Sequence, residues 1–168
     1  MSRFTALHIA DFYVQLSNDL PEADMTNLKL NKLCYYAQGW SLVKLGQPLF
    51  DEDIQAWDHG PVVPSVYRTY KVCGDNLISE PSEPFDESTL SVDELNLLID
   101  VYNSYAKFSA SALVTMTHRP GSPWRQVYEK RMNRVISPDL MLDYFRRHTD
   151  ELETPSFCFT DDNVVSYA

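Results

Sequence analysis

The stretch TNLKLNKLCYYAQGWSLVKLGQP, Thr26 to Pro48, decides the fold. Thr26 is a good helix N-cap, because its hydroxyl accepts a hydrogen bond from an otherwise orphaned N–H of the first turn. Gly46 and Pro48 mark the other end: glycine takes the left-handed backbone that closes a helix, and proline cannot continue one. Between them Leu30, Leu33, Cys34, Ala37 and Trp40 recur at helical spacing and form one apolar stripe. Tyr36 and Val43 lie off that stripe, which predicts a helix buried on more than one side. Lys29, Lys32 and Tyr36 stand at i, i+3 and i+7, which is a single second face. Either that face is an ordered binding surface, or its lysines are a solvated edge and Tyr36 plugs the core.

Upstream, Ile9, Phe12, Tyr13 and Leu16 predict a helix over Thr5–Asn18, stopped by Pro21. Downstream, LFDEDIQAWDHGPVVP, Leu49 to Pro64, breaks the helical period and reads as one or two short strands with Gly60-Pro61 as a break. Leu77-Ile78 is a candidate pairing segment for them. Pro64 opens a short helix carrying Val66, Tyr67 and Tyr70, and Gly74 stops it. Ser91 followed by Glu94 is a capping box that opens the next helix. Ser109, Ser122-Pro123 and Ser137-Pro138 start three more. The expectation is a mainly α, single multi-helix domain over residues 1–152. Its minor β element lies at about 49–63, possible pairing lies near 77–78, and a tail follows at 153–168. Trp40, Trp57 and Trp124 are expected to be largely buried and to hold the fold together.

The chain has 168 residues, 44% of them apolar, enough for one core without disulfides or metals. Its net charge of −10 disfavours nucleic acid as the main partner, since phosphate backbones attract basic proteins. An acidic chain more naturally meets a basic protein, or simply stays soluble. The charge is unevenly spread. From Val72 to Ala106 there is no Lys or Arg, whereas Arg119, Arg125, Lys130, Arg131, Arg134, Arg146 and Arg147 make the later region basic. Three widely spaced cysteines fit a reducing cytoplasm better than a disulfide framework. The N-terminus lacks a signal-peptide layout, and no apolar run approaches the ~20 residues of a membrane span.

The four histidines include no i, i+4 metal pair, so no metal or cofactor is expected. Asp58-His59 precedes Gly60-Pro61. Asp58 orienting His59 is one reading, and a simple turn is the other. His118 either caps a helix C-terminus or joins Thr117 in a polar site. The chain carries no Gly-rich phosphate loop, nucleophile elbow or Cys-x-x-Cys. An enzyme would have to be assembled from scattered residues such as His59 and His118.

Four blocks together give a more specific reading: LKLNKLCYYAQGW (28–40), LFDEDIQAWDHGPVVP (49–64) leading into Val66-Tyr67, YAKFSASALVTMTHRPGSPW (105–124), and ISPDLMLDYF (136–145). In order and spacing they resemble the Panacea domain of SocA-like, phage-associated GepA-type antitoxins. Trp40, Trp57, Gly60, Pro61, Tyr67 and Trp124 are the motif positions. His59 stands where the family is expected to carry an aromatic, and Met116 where leucine is more usual. The resemblance implies no catalysis. It implies a cytoplasmic interaction module that binds and neutralises a co-encoded toxin, often in prophages or other mobile elements. Some members add a DNA-binding domain, for which this chain is too short. Partner-binding candidates are Lys29, Lys32, Tyr36, Asp58, His59 and His118. The alternative is a proteolytic adaptor that presents a client to an energy-dependent AAA+ protease, with the apolar end of the tail as tether.

Overall fold

A computed structural model describes residues 2–20 and 24–152, together with the backbone of Phe157–Phe159 and Val165–Tyr167. Seven α-helices are present among the described residues: α1 (Ala6–Asn18), α2 (Asn27–Lys44), α3 (Pro64–Tyr70), α4 (Val92–Tyr105), α5 (Ala110–Thr117), α6 (Pro123–Val127) and α7 (Pro138–Arg146). Strands β1 (Ile54–Trp57), β2 (Gly60–Val62) and β3 (Arg134–Ile136) form one antiparallel sheet in the order β2-β1-β3. Strands β4 (Phe157–Phe159) and β5 (Val165–Tyr167) pair with each other. The tail at 153–168 therefore carries two strands among its described residues. No helix among the described residues is long and apolar enough to cross a membrane.

The helix starts follow the caps. Thr26, Ser91, Ser109, Ser122 and Ser137 each accept a hydrogen bond from the third residue of the helix that follows. Thr5 and His8 form a reciprocal box at α1, as Ser91 and Glu94 do at α4.

Helix α2 is the centre of the molecule. Fourteen of its 18 residues are buried, so it has no solvent face to speak of. The helices α1, α3, α4, α5 and α7 and strand β2 all pack on it. Its apolar stripe meets the core, and Trp40 lies fully inside with its indole N–H donating to the Tyr105 hydroxyl at 2.9 Å. Gly39 permits the closest of these approaches. A Cβ there would lie 2.3 Å from the Phe145 ring, so α7 rests its aromatic directly on the α2 backbone.

The polar residues of α2 are inside because each has a partner. The Gln38 carboxamide donates to the Phe50 carbonyl at 2.8 Å and accepts from the Leu49 N–H at 2.8 Å. The Asn31 side-chain oxygen accepts from the Val63 N–H at 3.0 Å. Asn27 donates to the Tyr67 carbonyl at 3.0 Å. These bonds fix where the chain enters and leaves the small sheet. On the far side of α1, the buried carboxylate of Asp11 accepts from the Tyr70 hydroxyl and from Ser82, which ties α1 to α3 and to the 79–85 connection.

Two expectations fail here. The sheet does not recruit Leu77-Ile78. Ile78 buries its side chain and donates its N–H to the Met25 carbonyl at 2.8 Å, so it is already committed to the chain before α2. Its place beside β1 is taken by β3, with Ile54 opposite Ile136 and Ala56 opposite Arg134. Trp57 is half-buried rather than buried, because alternation along β1 turns Ile54 and Ala56 inward and leaves Gln55 and Trp57 at the margin.

Candidate functional site

The sequence candidates divide into an interior group and a surface group. Lys29, Lys32 and Tyr36 do share one face of α2, but that face is closed, with exposures of 1%, 0% and 3%. The face expected to meet a partner is therefore an internal seam. The Lys29 amine donates to both carboxylate oxygens of Asp24, at 2.8 and 2.9 Å, and to the Ala106 carbonyl. Tyr36 stacks on Tyr105 with ring centroids 3.7 Å apart and planes 8° from parallel. Sequence spacing identified the face correctly and gave no measure of how many elements cover it.

Lys32 runs beneath the β1–β2 turn and donates to the Pro61 carbonyl at 3.1 Å. Burial alone pushes its amine down from 10.5 to about 7. The turn above it is tightly fitted. Gly60 has φ +111°, and a Cβ there would lie 2.7 Å from both Lys32 Cε and Thr117 Oγ1. Glycine at 60 is thus required by conformation and by space.

A second layer clamps the same turn from outside. The Trp124 indole N–H donates to the Trp57 carbonyl at 2.7 Å, and the Tyr128 hydroxyl donates to Asp58 at 2.5 Å. His118, Trp124 and Tyr128 form one stack, with centroid spacings of 3.6 and 4.3 Å. His118 is the C-cap of α5, and its Nε2 is buried without a hydrogen-bond partner. Burial first, then the charges of Lys32, Arg125 and His59, hold its pKa below the usual range.

The clamped turn borders a groove of about 740 Å³ between the β1–β2 turn, α3 and the loop that leads into β3. Trp57 and Tyr67 meet edge to face at 4.9 Å in it, beside Leu28 and Val62. Asp58, His59, Lys71, Asp75, Arg131 and Asn133 also line it. The groove therefore gathers Trp57, Tyr67, Asp58 and His59 from the sequence candidates. His118 lies behind it, in the stack, and Lys29, Lys32 and Tyr36 lie in the interior. Arg131 and Asn133 were missed because neither belongs to a periodic segment.

The candidate side chains do not form an acid–base pair among the described residues. Asp58 is bonded to Tyr128, and neither His59 nor His118 hydrogen-bonds to a carboxylate among the described residues. Cys34 is buried, and its thiol is pushed far above the range in which a thiolate forms. Among the described residues no group of three or more His, Cys, Asp or Glu side chains is placed to hold a metal ion.

Comparison with known proteins bears on the same region. A family profile described as "Antitoxin SocA-like, Panacea domain" matches residues 30–125, from α2 to the clamp at α6. The protein named Antitoxin SocA of Caulobacter vibrioides (strain NA1000 / CB15N) is 34% identical over 120 residues. That match covers 63% of this chain and 60% of the relative, so the chain spans less than two thirds of the relative's length. No solved structure matches.

Proposed function

We propose that this chain, which belongs to the SocA-like antitoxin family defined by the Panacea domain, acts by binding a co-encoded toxin and suppressing it without turnover. The observation that carries the reading is that the family match runs from the central helix through the β1–β2 turn to its clamp. What that segment builds is a rigid, hydrogen-bonded support under an open groove. A preorganised surface binds without the cost of ordering loops, which is what an inhibitor needs. The exposed end of the support offers aromatic and charged side chains together, the composition of interface anchors.

The partner is expected to be the product of a neighbouring reading frame, on a prophage or another mobile element, and to be met in the cytoplasm. The long-range field of a chain with net charge −10 favours approach by a basic toxin. Co-expression tests the reading. Growth arrest caused by the adjacent gene should be relieved in proportion to the level of this protein, because neutralisation by mass action consumes the antitoxin. Relief at strongly substoichiometric levels would move the function to the adaptor class, in which a AAA+ protease removes the toxin and this chain is reused.

A further inference from the structure

We infer that Arg131 is the anchor of the groove and that its ligand is a carboxylate on an apolar-tipped segment of the toxin, an inference that rests on the antitoxin reading. Arg131 and Asn133 are the two non-glycine residues with positive φ among the described residues, at 64° and 46°. Asparagine tolerates the left-handed region, whereas arginine pays a steric penalty there and glycine does not. The fold would accept glycine at 131 at least as well. What arginine adds is a guanidinium at the groove, and local backbone strain of this kind is characteristic of binding sites.

That guanidinium is exposed and makes no hydrogen bond or ion pair with the described residues. Lys71, which also lines the groove, is likewise exposed and uncommitted. Of the two lining carboxylates, Asp58 is engaged by Tyr128, which leaves Asp75. The lining is formally balanced, two cations against two carboxylates, on a chain of net charge −10, but both cations lack a partner whereas Asp58 is held by Tyr128. A polyanionic nucleic-acid backbone is repelled by the whole chain, but a single carboxylate suits the two unpartnered cations. Arginine binds carboxylates through two parallel hydrogen bonds, which fixes direction as well as charge.

The apolar half of the specification comes from the same loops. Met132 follows Arg131 and is 54% exposed, and Val72 follows Lys71 and is 92% exposed. The groove itself supplies Trp57, Tyr67, Leu28 and Val62 as apolar area among the same lining residues as the two cations. An acidic residue flanked by a bulky apolar one satisfies both halves.

The test uses the purified full chain and the toxin encoded beside it, with Arg131→Gly and Arg131→Glu variants. Melting temperature and affinity are measured for each. Arg131→Gly should melt at or above the wild-type temperature while its affinity falls roughly 10- to 100-fold, and Arg131→Glu should bind more weakly still. A Lys substitution at one toxin carboxylate should restore binding to Arg131→Glu. If both variants bind within about twofold of wild type, the groove assignment is overturned while the antitoxin reading stands. If wild type does not bind the toxin, both fall. A wild-type dimer that Arg131→Gly dissolves would give the groove to a second copy of the chain and overturn the carboxylate ligand.

Discussion

Replacing Lys32 with methionine isolates the energetic consequence of burying an amine under the β1–β2 turn. The side chain is fully buried, and its pKa lies at about 7 against an ordinary 10.5. A base whose folded pKa is lowered binds a proton more readily in the unfolded chain. Stability therefore rises with pH from about 7 to 10.5, and the whole cost is present below 7. At 1.36 kcal/mol per pKa unit that cost reaches about 5 kcal/mol, a large share of a typical domain stability. Methionine has similar volume and no charge, but it strands the Pro61 carbonyl, which Lys32 serves at 3.1 Å. An unpaired buried acceptor costs about 1–3 kcal/mol. Below pH 7 the Lys32→Met variant should accordingly be the more stable by about 2–4 kcal/mol, and near pH 10, where a little of the wild-type cost remains, the less stable by up to about 2 kcal/mol. Urea unfolding of both proteins between pH 6 and 10, followed by tryptophan fluorescence, measures the difference and cancels groups common to both. The His118 imidazole should also titrate higher in the variant, because one of the cations that depress it is gone. A difference curve that stays flat from pH 6 to 10 would refute the reasoning, since the amine would then carry no desolvation cost.

Three further outcomes follow from packing and charge. Gly39→Ala places a methyl group 2.3 Å from the Phe145 ring, so α7 must shift, and calorimetry should show a loss of about 1–3 kcal/mol or more. Trp124→Ala removes the hydrogen bond to the Trp57 carbonyl and the centre of the aromatic stack; a loss of about 3–5 kcal/mol is expected, and an unchanged melting temperature would contradict the clamp. Burial raises the Asp100 carboxyl to about 6, with Lys44 opposing the shift, and one of its oxygens is buried without a partner. A raised acid favours folding below its unfolded pKa and loses that contribution as pH rises toward 6, so Asp100→Asn should raise the melting temperature at pH 7.5 and gain nothing at pH 3.5.

The helical frame was readable in the sequence because local chemistry encodes it. Serine or threonine caps and helical apolar spacing placed six of the helix starts within a residue of where they occur, and Pro64 placed α3. The strands β1 and β2 were legible as a break in period around Gly60-Pro61. Strand β3 was not, because three residues inside a basic run carry no alternation, and its pairing with β1 spans about eighty residues of chain. Burial of Lys29 and Lys32 was equally hidden. A lysine reads as solvent-facing unless the carbonyls that receive its amine are known, and Ala106 and Pro61 come from distant segments. The groove was half legible. The family blocks contain Trp57, Asp58, His59 and Tyr67, whereas Arg131 becomes notable only through its backbone angle.

Titrating the purified toxin with this protein while following toxin activity tests the central claim most directly. Direct neutralisation predicts that activity falls linearly and vanishes at a molar ratio of about 1:1, with no added protease and no nucleotide. Full suppression at a small fraction of that ratio, or persistent activity in the presence of excess protein, would contradict it.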